Sequence, residues 1–474
     1  MTVDVAVIGA GVVGAALARE FVVRGASVAL VEARADVGDV TSKASTAILH
    51  TGFDAKPGSL ESRLVRRGHH LLKAYAERTG IPIEIPGALL VAWDPGQRAA
   101  LPGLAETASA NGYTGTRLLD AGELYRREPH LGPGALGALE VPDEGIVCPW
   151  TTTLAYATEA VRGGARLLLE TSVTGASVTT THVDLATTRG PLRARYVVNA
   201  AGLGSDRVHA MFGQAGFHVK PRRGQLIVYD KQARGLVGSI LLPVPTAMGK
   251  GVLVAPTVYG NVLLGPTAED LTDRTDTGST RDGLAGLRDQ GRRIVPALVE
   301  EEVTTVYAGL RAATEHADYQ ISFHPELRYA CAGGIRSTGL TASPAIAEYV
   351  AAGLANRTDL ALTFGGGDPP PRMPYIGEAG TRPYADAARI AADPAYGEIV
   401  CFCERVTRGE IRDALAADIP PCSVEGLRRR TRATMGRCQG FYCGATVRAL
   451  LERGDTARPA AAPPVAVDAS EDRR

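Results

Sequence analysis

The chain has 474 residues, 45% hydrophobic and 22% charged, which is ordinary for a globular protein and too apolar for one that stays unfolded. Its 51 basic and 51 acidic side chains cancel, which argues against a general nucleic-acid binder. At roughly 150 residues per domain the length suggests about three domains, large enough to fold without a staple.

The β-branched run Val3-Asp4-Val5-Ala6-Val7-Ile8 reads as a buried strand. Gly9-Ala10-Gly11-Val12-Val13-Gly14 follows, then an alanine-rich helix to about Arg24 and a second strand from Ser27 to Glu32. This is a βαβ opening with parallel strands. In its G-x-G-x-x-G loop, Gly9 permits the tight turn, Gly11 lets backbone approach a pyrophosphate, and Gly14 lets helix and strand pack closely. The phosphates would sit on the helix N-terminus, and Glu32, 18 residues past Gly14, could accept hydrogen bonds from an adenosine ribose. Asp4 and the immediate strand leave no room for an export signal. The longest apolar run, Val5 to Ala18, is glycine-broken and short of the roughly 20 residues a spanning helix needs. A soluble cytoplasmic protein without an integral membrane segment is expected.

Further apolar strands at Arg166–Leu169, Tyr196–Ala200 and Tyr329–Ala332 lie far from the first pair. Between them come hairpin signals such as Leu253–Ala255, Tyr259-Gly260-Asn261 and Val262–Leu264. The predicted fold class is α/β (α+β overall). A Rossmann-like nucleotide domain is assembled from residues 1–80, 145–220 and 322–358, with a mostly antiparallel substrate domain from 81–144 and 221–321 inserted. Two segments favour FAD over NAD. Tyr196 to Gly202 is a buried strand ending in small residues that can approach the cofactor from below. Gly333 to Thr341 leads into Ser343-Pro344, read as an N-cap followed by proline at the first helical position, whose helix would point its positive end at a flavin.

Phe364–Pro374, too rich in glycine and proline for a helix, falls in a linker over 359–397 that leads to a small helical cysteine module at 398–455 and a disordered tail at 456–474. Five of the seven cysteines fall after residue 400, which argues for metal ligation over disulfides. Cys401 and Cys403 form one close pair and Cys438 and Cys443 another, with 34 residues between the pairs. Four thiolates suit zinc or [2Fe–2S] alike. Cys422, after two prolines, is read as a non-ligand, and Cys148 and Cys331 as buried core residues.

These stretches resemble the FAD-dependent D-amino-acid-oxidase-like superfamily, and within it glycerol-3-phosphate dehydrogenases of the anaerobic, iron–sulfur kind. The resemblance is carried by Thr41-Ser42-Lys43-Ala44-Ser45-Thr46, Leu49-His50-Thr51-Gly52, Arg223-Gly224-Gln225, Gly249-Lys250-Gly251 and Ala308-Gly309-Leu310-Arg311. It implies cofactor contacts from Gly9, Gly11, Val12, Gly14, Glu32, Ser42, Ser45, Thr46, Val173, Ala201, Gly202, Gly334, Gly339, Leu340 and Thr341. It implies His50 beside the flavin, Arg311 over the substrate anion, and substrate contacts from Lys56, Lys250 and Arg336. Cys401-Phe402-Cys403-Glu404 and Met435-Gly436-Arg437-Cys438-Gln439-Gly440 resemble the bacterioferritin-associated-ferredoxin-like domain, which selects [2Fe–2S] over zinc.

The reaction implied is hydride transfer from a small anionic secondary alcohol, which needs a base and an anchoring cation. Glycerol 3-phosphate is the first expectation. Lys56-Pro57-Gly58-Ser59-Leu60, where glycerol-3-phosphate relatives often carry an arginine, is similar to 2-hydroxyglutarate dehydrogenases and brings in a 2-hydroxy acid as the alternative. Amine or imino-acid oxidation, or an electron-transfer subunit without its own substrate, stand further off. The expected partner is an electron-acceptor protein or quinone-linked subunit. A hetero-oligomer, and peripheral membrane attachment through that subunit, are left open.

Overall fold

The computed structural model describes residues 2–245, 251–363 and 369–454. The chain divides into two compact units that meet at Ala379 and Gly380. In the first, β1 (Thr2–Ile8), α1 (Val12–Val23) and β2 (Val28–Val31) form the βαβ opening. The site is then framed by β3 (Ile48–Leu49), α2 (Leu60–Thr79), β4 (Gly145–Val147), β5 (Leu192–Asn199), β6 (Lys220–Tyr229), β7 (Val303–Ala313), β8 (Tyr329–Gly333) and α3 (Gly339–Ala355).

β1 lies between β2 and β5 and runs parallel to both, with Val5 opposite Val28 and Tyr196. β5 also takes β8 in parallel, through Val197 to Asn199. Strands Arg166–Leu168, Val173–Val178, Val183–Thr187 and Gln320–His324 complete this eight-stranded sheet. α1 packs against α3 and against the helix Pro149–Arg162. A sheet covered in this way reads as continuous apolar runs, which is why β1 and β2 lack a polar face.

A second, nine-stranded sheet takes its strands from 88–141 and 220–313 and is mostly antiparallel. Leu89, Val91, Ile227, Tyr229 and Leu264 form its core, under an amphipathic helix, Arg281–Ile294, that buries Leu287 and Ile294. β6 and β7 pair along nearly their whole length and place Gly224 opposite Gly309 and Arg222 opposite Arg311. A three-stranded sheet joins β3 and Ile83–Glu84 to β4, with Ile48 opposite Ile146 and Leu49 opposite Gly145.

The helix read from Ser343-Pro344 begins earlier. α3 starts at Gly339 after Thr338, and Pro344 lies inside it. A helical proline removes the N–H that would bond the carbonyl four residues back, here that of Leu340. The Ser343 hydroxyl donates to that carbonyl instead, at 3.0 Å, so serine repairs the defect rather than capping the helix.

The second unit contains β9 (Ile399–Cys401), β10 (Val406–Thr407), α4 (Arg408–Leu415), α5 (Val424–Thr431) and α6 (Gly444–Arg453). Val406, Ile411, Leu427, Ala433 and Val447 form its core, and Thr407 and Glu410 close a capping box on α4. Residues 380–397, read from the sequence as linker, pack on this module. Arg382 pairs with Glu410 at 2.9 Å, and the Tyr396 ring lies against Gly409, where a Cβ would come within 2.5 Å of it. The tail at 456–474 lies outside the described residues. Among those described, no helix is long and apolar enough to cross a membrane.

Candidate active site

Gly9, at φ +99°, turns the chain out of β1 so tightly that a Cβ there would meet the Ala200 carbonyl oxygen at 2.5 Å. A Cβ on Gly14 would lie 1.8 Å from the Gly9 oxygen, so Gly14 sets the approach of α1 to the loop without lining the cavity beyond it. Glu32 is buried, and its carboxylate accepts the N–H of Ala10 at 2.7 Å and of Arg34 at 2.8 Å. Burial raises its pKa despite those bonds. The Ser42 hydroxyl accepts the N–H of Val12 at 2.9 Å and so caps α1 from another segment.

These residues border a cavity of about 970 Å³ whose walls come from both large sheets. Its walls include Gly9, Gly11, Val12, Glu32, Val173, Ala201 and Gly202, together with Ser42, Ser45, Thr46, Gly334, Gly339 and Leu340, and also His50, Lys56, Arg311 and Arg336. Thr341 is not on the wall. Its hydroxyl accepts the N–H of His50 at 3.0 Å and lies 3.3 Å from the Ile48 carbonyl, so it fixes the strand that carries His50. Lys250 lies outside the described residues.

The three cationic candidates among the described residues differ. Arg311 is half-buried and donates to the Thr267 carbonyl at 2.7 Å, in space left by Gly224, where a Cβ would sit 2.4 Å from its Nη2. Burial first, then repulsion from Arg222, holds its pKa below the ordinary value. Among the described residues it makes no ion pair, whereas neighbouring Arg222 is taken up by Asp270 at 2.5 and 2.9 Å. Arg336 lies 3.4 Å from Glu61 and donates to the Ala317 carbonyl at 2.5 Å, so its charge is already partnered. Lys56 is exposed at the rim.

His50 Nδ1 lies 3.2 Å from Oε2 of Glu144, a carboxylate with no solvent exposure. Glu144 carries no recognisable pattern in sequence; it meets His50 only through the pairing of β3 with β4. His69, which has no partners evident in sequence, is buried beneath His50 with Nδ1 3.2 Å from the His50 carbonyl oxygen.

In the second unit the cysteines face each other in pairs, Cys401 with Cys443 and Cys403 with Cys438. Positive φ at Gln439 and Gly440 turns the loop back on itself. Burial pushes the Cys438 thiol up, but the N–H groups of Tyr442, Gly440 and Phe441, with Cys403, outweigh it and bring the pKa below its ordinary value. Donors aimed at sulfur are what a thiolate ligand of an anionic cluster requires. Phe402, Phe441 and Tyr442 beside these cysteines are 72%, 84% and 76% exposed, so the thiolate loops lie at the unit's surface. Cys148 is buried and receives the Tyr259 hydroxyl at 2.9 Å; Cys331 is buried in β8; Cys422 is exposed.

A family model described as FAD dependent oxidoreductase matches residues 4–353. The chain belongs to this family. A second model, described as BFD-like [2Fe-2S] binding domain, matches residues 399–453. This FAD-dependent oxidoreductase is 36% identical over 452 residues to a glycerol 3-phosphate dehydrogenase of Caloramator mitchellensis, covering 95% of this chain and 94% of that protein. It is 31% identical over 274 residues to an L-2-hydroxyglutarate dehydrogenase of Indibacter alkaliphilus, covering 56% and 68%. Among solved structures, the dithionite-reduced L-alpha-glycerophosphate oxidase of Mycoplasma pneumoniae with FAD bound superposes with a TM-score of 0.75 at 29% identity, covering 79% of this chain and all of that one. The cofactors of this oxidoreductase are FAD and a [2Fe–2S] cluster. The glycine loop, Glu32 and the long cavity fit a dinucleotide, and the paired cysteines with their N–H donors fit the cluster.

Proposed function

We propose that this oxidoreductase is a dehydrogenase that converts sn-glycerol 3-phosphate to dihydroxyacetone phosphate and passes the electrons through its [2Fe–2S] domain to an electron-acceptor protein or quinone-linked subunit. The observation that carries the reading is Arg311, a half-buried guanidinium in the cavity with no carboxylate partner among the described residues. A desolvated cation is stabilised by an anionic ligand, and its planar fork suits phosphate or carboxylate.

When bound, FAD supplies a two-electron hydride acceptor and the cluster a one-electron centre. The side chains do the rest. Gly9, Gly11, Val12, Glu32, Ser42 and Val173 would hold the adenosine and pyrophosphate, and Gly334, Gly339 and Leu340 would line the ring system. Arg311 holds the anionic end of the substrate, with Lys56 at the rim as a further positive charge. His50 takes the hydroxyl proton at Nε2, because its Nδ1 faces Glu144. Cys401, Cys403, Cys438 and Cys443 would ligate the cluster.

The full-length likeness to a protein named glycerol 3-phosphate dehydrogenase supports the phosphate reading. A 2-hydroxy acid is the second reading, supported by the Lys56–Leu60 stretch and by the shorter likeness to proteins named L-2-hydroxyglutarate dehydrogenase. The test is anaerobic titration of the purified holoprotein with each substrate, following the flavin absorbance. Bleaching by glycerol 3-phosphate at lower concentration than by 2-hydroxyglutarate is expected; the reverse order moves the assignment to the acid.

A further inference from the structure

We infer that Glu144 is the positioning residue for His50, holding the imidazole with Nδ1–H toward its own carboxylate and Nε2 free to take the substrate proton. The inference rests on the reading of His50 as the base. It starts from register. β3 and β4 pair antiparallel, with Ile48 opposite Ile146 and Leu49 opposite Gly145, so the next cross-strand position brings His50 to Glu144. His50 directly follows β3 and Glu144 directly precedes β4, so both adjoin the last paired position and two backbones hold them near each other.

The Glu144 side chain is fully buried. Its Oε1 accepts the Thr51 N–H at 2.6 Å and the Thr51 hydroxyl at 2.8 Å, which fixes the carboxylate plane. Its Oε2 has no aligned hydrogen bond, yet lies 3.2 Å from His50 Nδ1. A buried carboxylate oxygen without a donor is costly, and a small rotation of the imidazole supplies one. With Nδ1–H committed to Glu144, Nε2 is the acceptor. When it takes the hydroxyl proton, the imidazolium forms against an existing negative charge. The alcohol's hydroxyl proton would go to Nε2, and FAD, when bound, would be the acceptor for the carbon-bound hydrogen with its two electrons, so that the carbonyl remains.

The backbone around the ring is equally constrained. The His50 N–H donates to Thr341 on α3, and His69 on α2 lies 3.2 Å from the His50 carbonyl. Other titratable groups facing this cluster are His70 and Lys73, beyond His69 on α2, and Tyr113, whose hydroxyl bonds Asp143 at 3.1 Å. On the cavity side stand Lys56, Glu61 and Arg311. Among the described residues, Glu144 is the titratable group that pairs with Nδ1.

The test uses the FAD-loaded full chain with Glu144→Gln, Glu144→Asp, His50→Asn and the Glu144→Gln/His50→Asn double variant. Nitrogen-15 histidine NMR reads the tautomer of His50, assigned by its loss in His50→Asn, and needs no substrate. The parent should show the Nδ1–H form, and Glu144→Gln should lose that preference. In anaerobic flavin reduction by sn-glycerol 3-phosphate, Glu144→Gln should slow the step at saturation ten- to a hundredfold. Half-saturation should change less than about threefold, and the acid limb of the pH profile should move to lower pH. Glu144→Asp should recover part of the rate, and Glu144→Gln should add nothing in the His50→Asn background. An unchanged tautomer, an unmoved acid limb, or the same loss with and without His50 would make Glu144 merely structural. If Glu144→Gln fails to hold FAD, Glu144→Asp keeps the buried charge and the same NMR and acid-limb criteria decide. A His50→Asn protein reduced at the parent rate would overturn the base assignment, while the parent tautomer would still report on Glu144.

Discussion

Replacing Gly224 with alanine should weaken substrate capture while leaving FAD in place. The new Cβ would lie 2.4 Å from Arg311 Nη2, 2.9 Å from Pro266 Cβ and 3.3 Å from the Thr267 carbonyl oxygen. An ordinary contact is about 3.5 Å, so the guanidinium has to retreat by about 1 Å. The obstacle is mainly the far end of a flexible side chain, so the cost in stability stays within about 1–3 kcal/mol. The cost in function is larger. A displaced guanidinium loses its bond to Thr267 and its aim at the substrate anion. One hydrogen bond to a charged group is worth about 1.5–3 kcal/mol, which corresponds to roughly ten- to 150-fold in affinity. Anaerobic reduction measured against substrate concentration gives the half-saturation point, the flavin spectrum gives cofactor content, and a thermal melt gives stability. Arg311→Lys, which keeps the charge but not the fork, should behave alike. A Gly224→Ala protein with a shifted melt but half-saturation within twofold of the parent would refute the assignment of Arg311 as the anion anchor.

Gly11→Val puts a branched side chain where even a Cβ lies 3.3 Å from the Ser42 hydroxyl, so the purified protein should lack flavin absorbance. Cys438→Ser should remove the [2Fe–2S] signal in electron paramagnetic resonance and collapse turnover with one-electron acceptors, while substrate still bleaches the flavin; Cys422→Ser, at an exposed cysteine, should keep the cluster. Burial holds the His69 and His209 imidazoles below their ordinary pKa near 6.5, so the unfolded chain binds the extra protons as pH falls past that value. Stability should therefore drop from pH 7 to 5 in thermal melts, and His69→Gln should flatten part of the slope.

Features set by neighbours in the chain were legible from the residues themselves. The glycine loop, Glu32 and the cysteine pairs depend on short spacings, and the hairpin around Gly260 falls where its turn residues indicate. Arg311 was visible through resemblance, but its lack of an ion-pair partner among the described residues was not, because that depends on Asp270 preferring Arg222. Glu144 was invisible because its meaning comes from a strand almost a hundred residues from His50. The start of α3 was misplaced because a Ser-Pro pair ordinarily opens a helix, and only the bond from Ser343 to Leu340 explains its tolerance inside one.

The central strand β5 is flanked by β1 on one side and β8 on the other, and these two partners lie more than three hundred residues apart. A ribosome adding about 5–20 residues per second therefore releases the first roughly 15–65 s before the second. Throughout that interval the nascent chain holds the glycine loop but lacks the wall formed by Gly334, Gly339 and Leu340, so it cannot close around a flavin. Once residue 199 has been made, the Val197–Asn199 edge of β5 stays bare for the roughly 7–26 s that the stretch up to β8 takes to synthesise, and an unpaired apolar edge recruits other chains. A race between elongation and misassociation is the expected consequence of this topology, and slowed translation should lower the yield of holoprotein. Abundant FAD can trap only chains that have already passed residue 340.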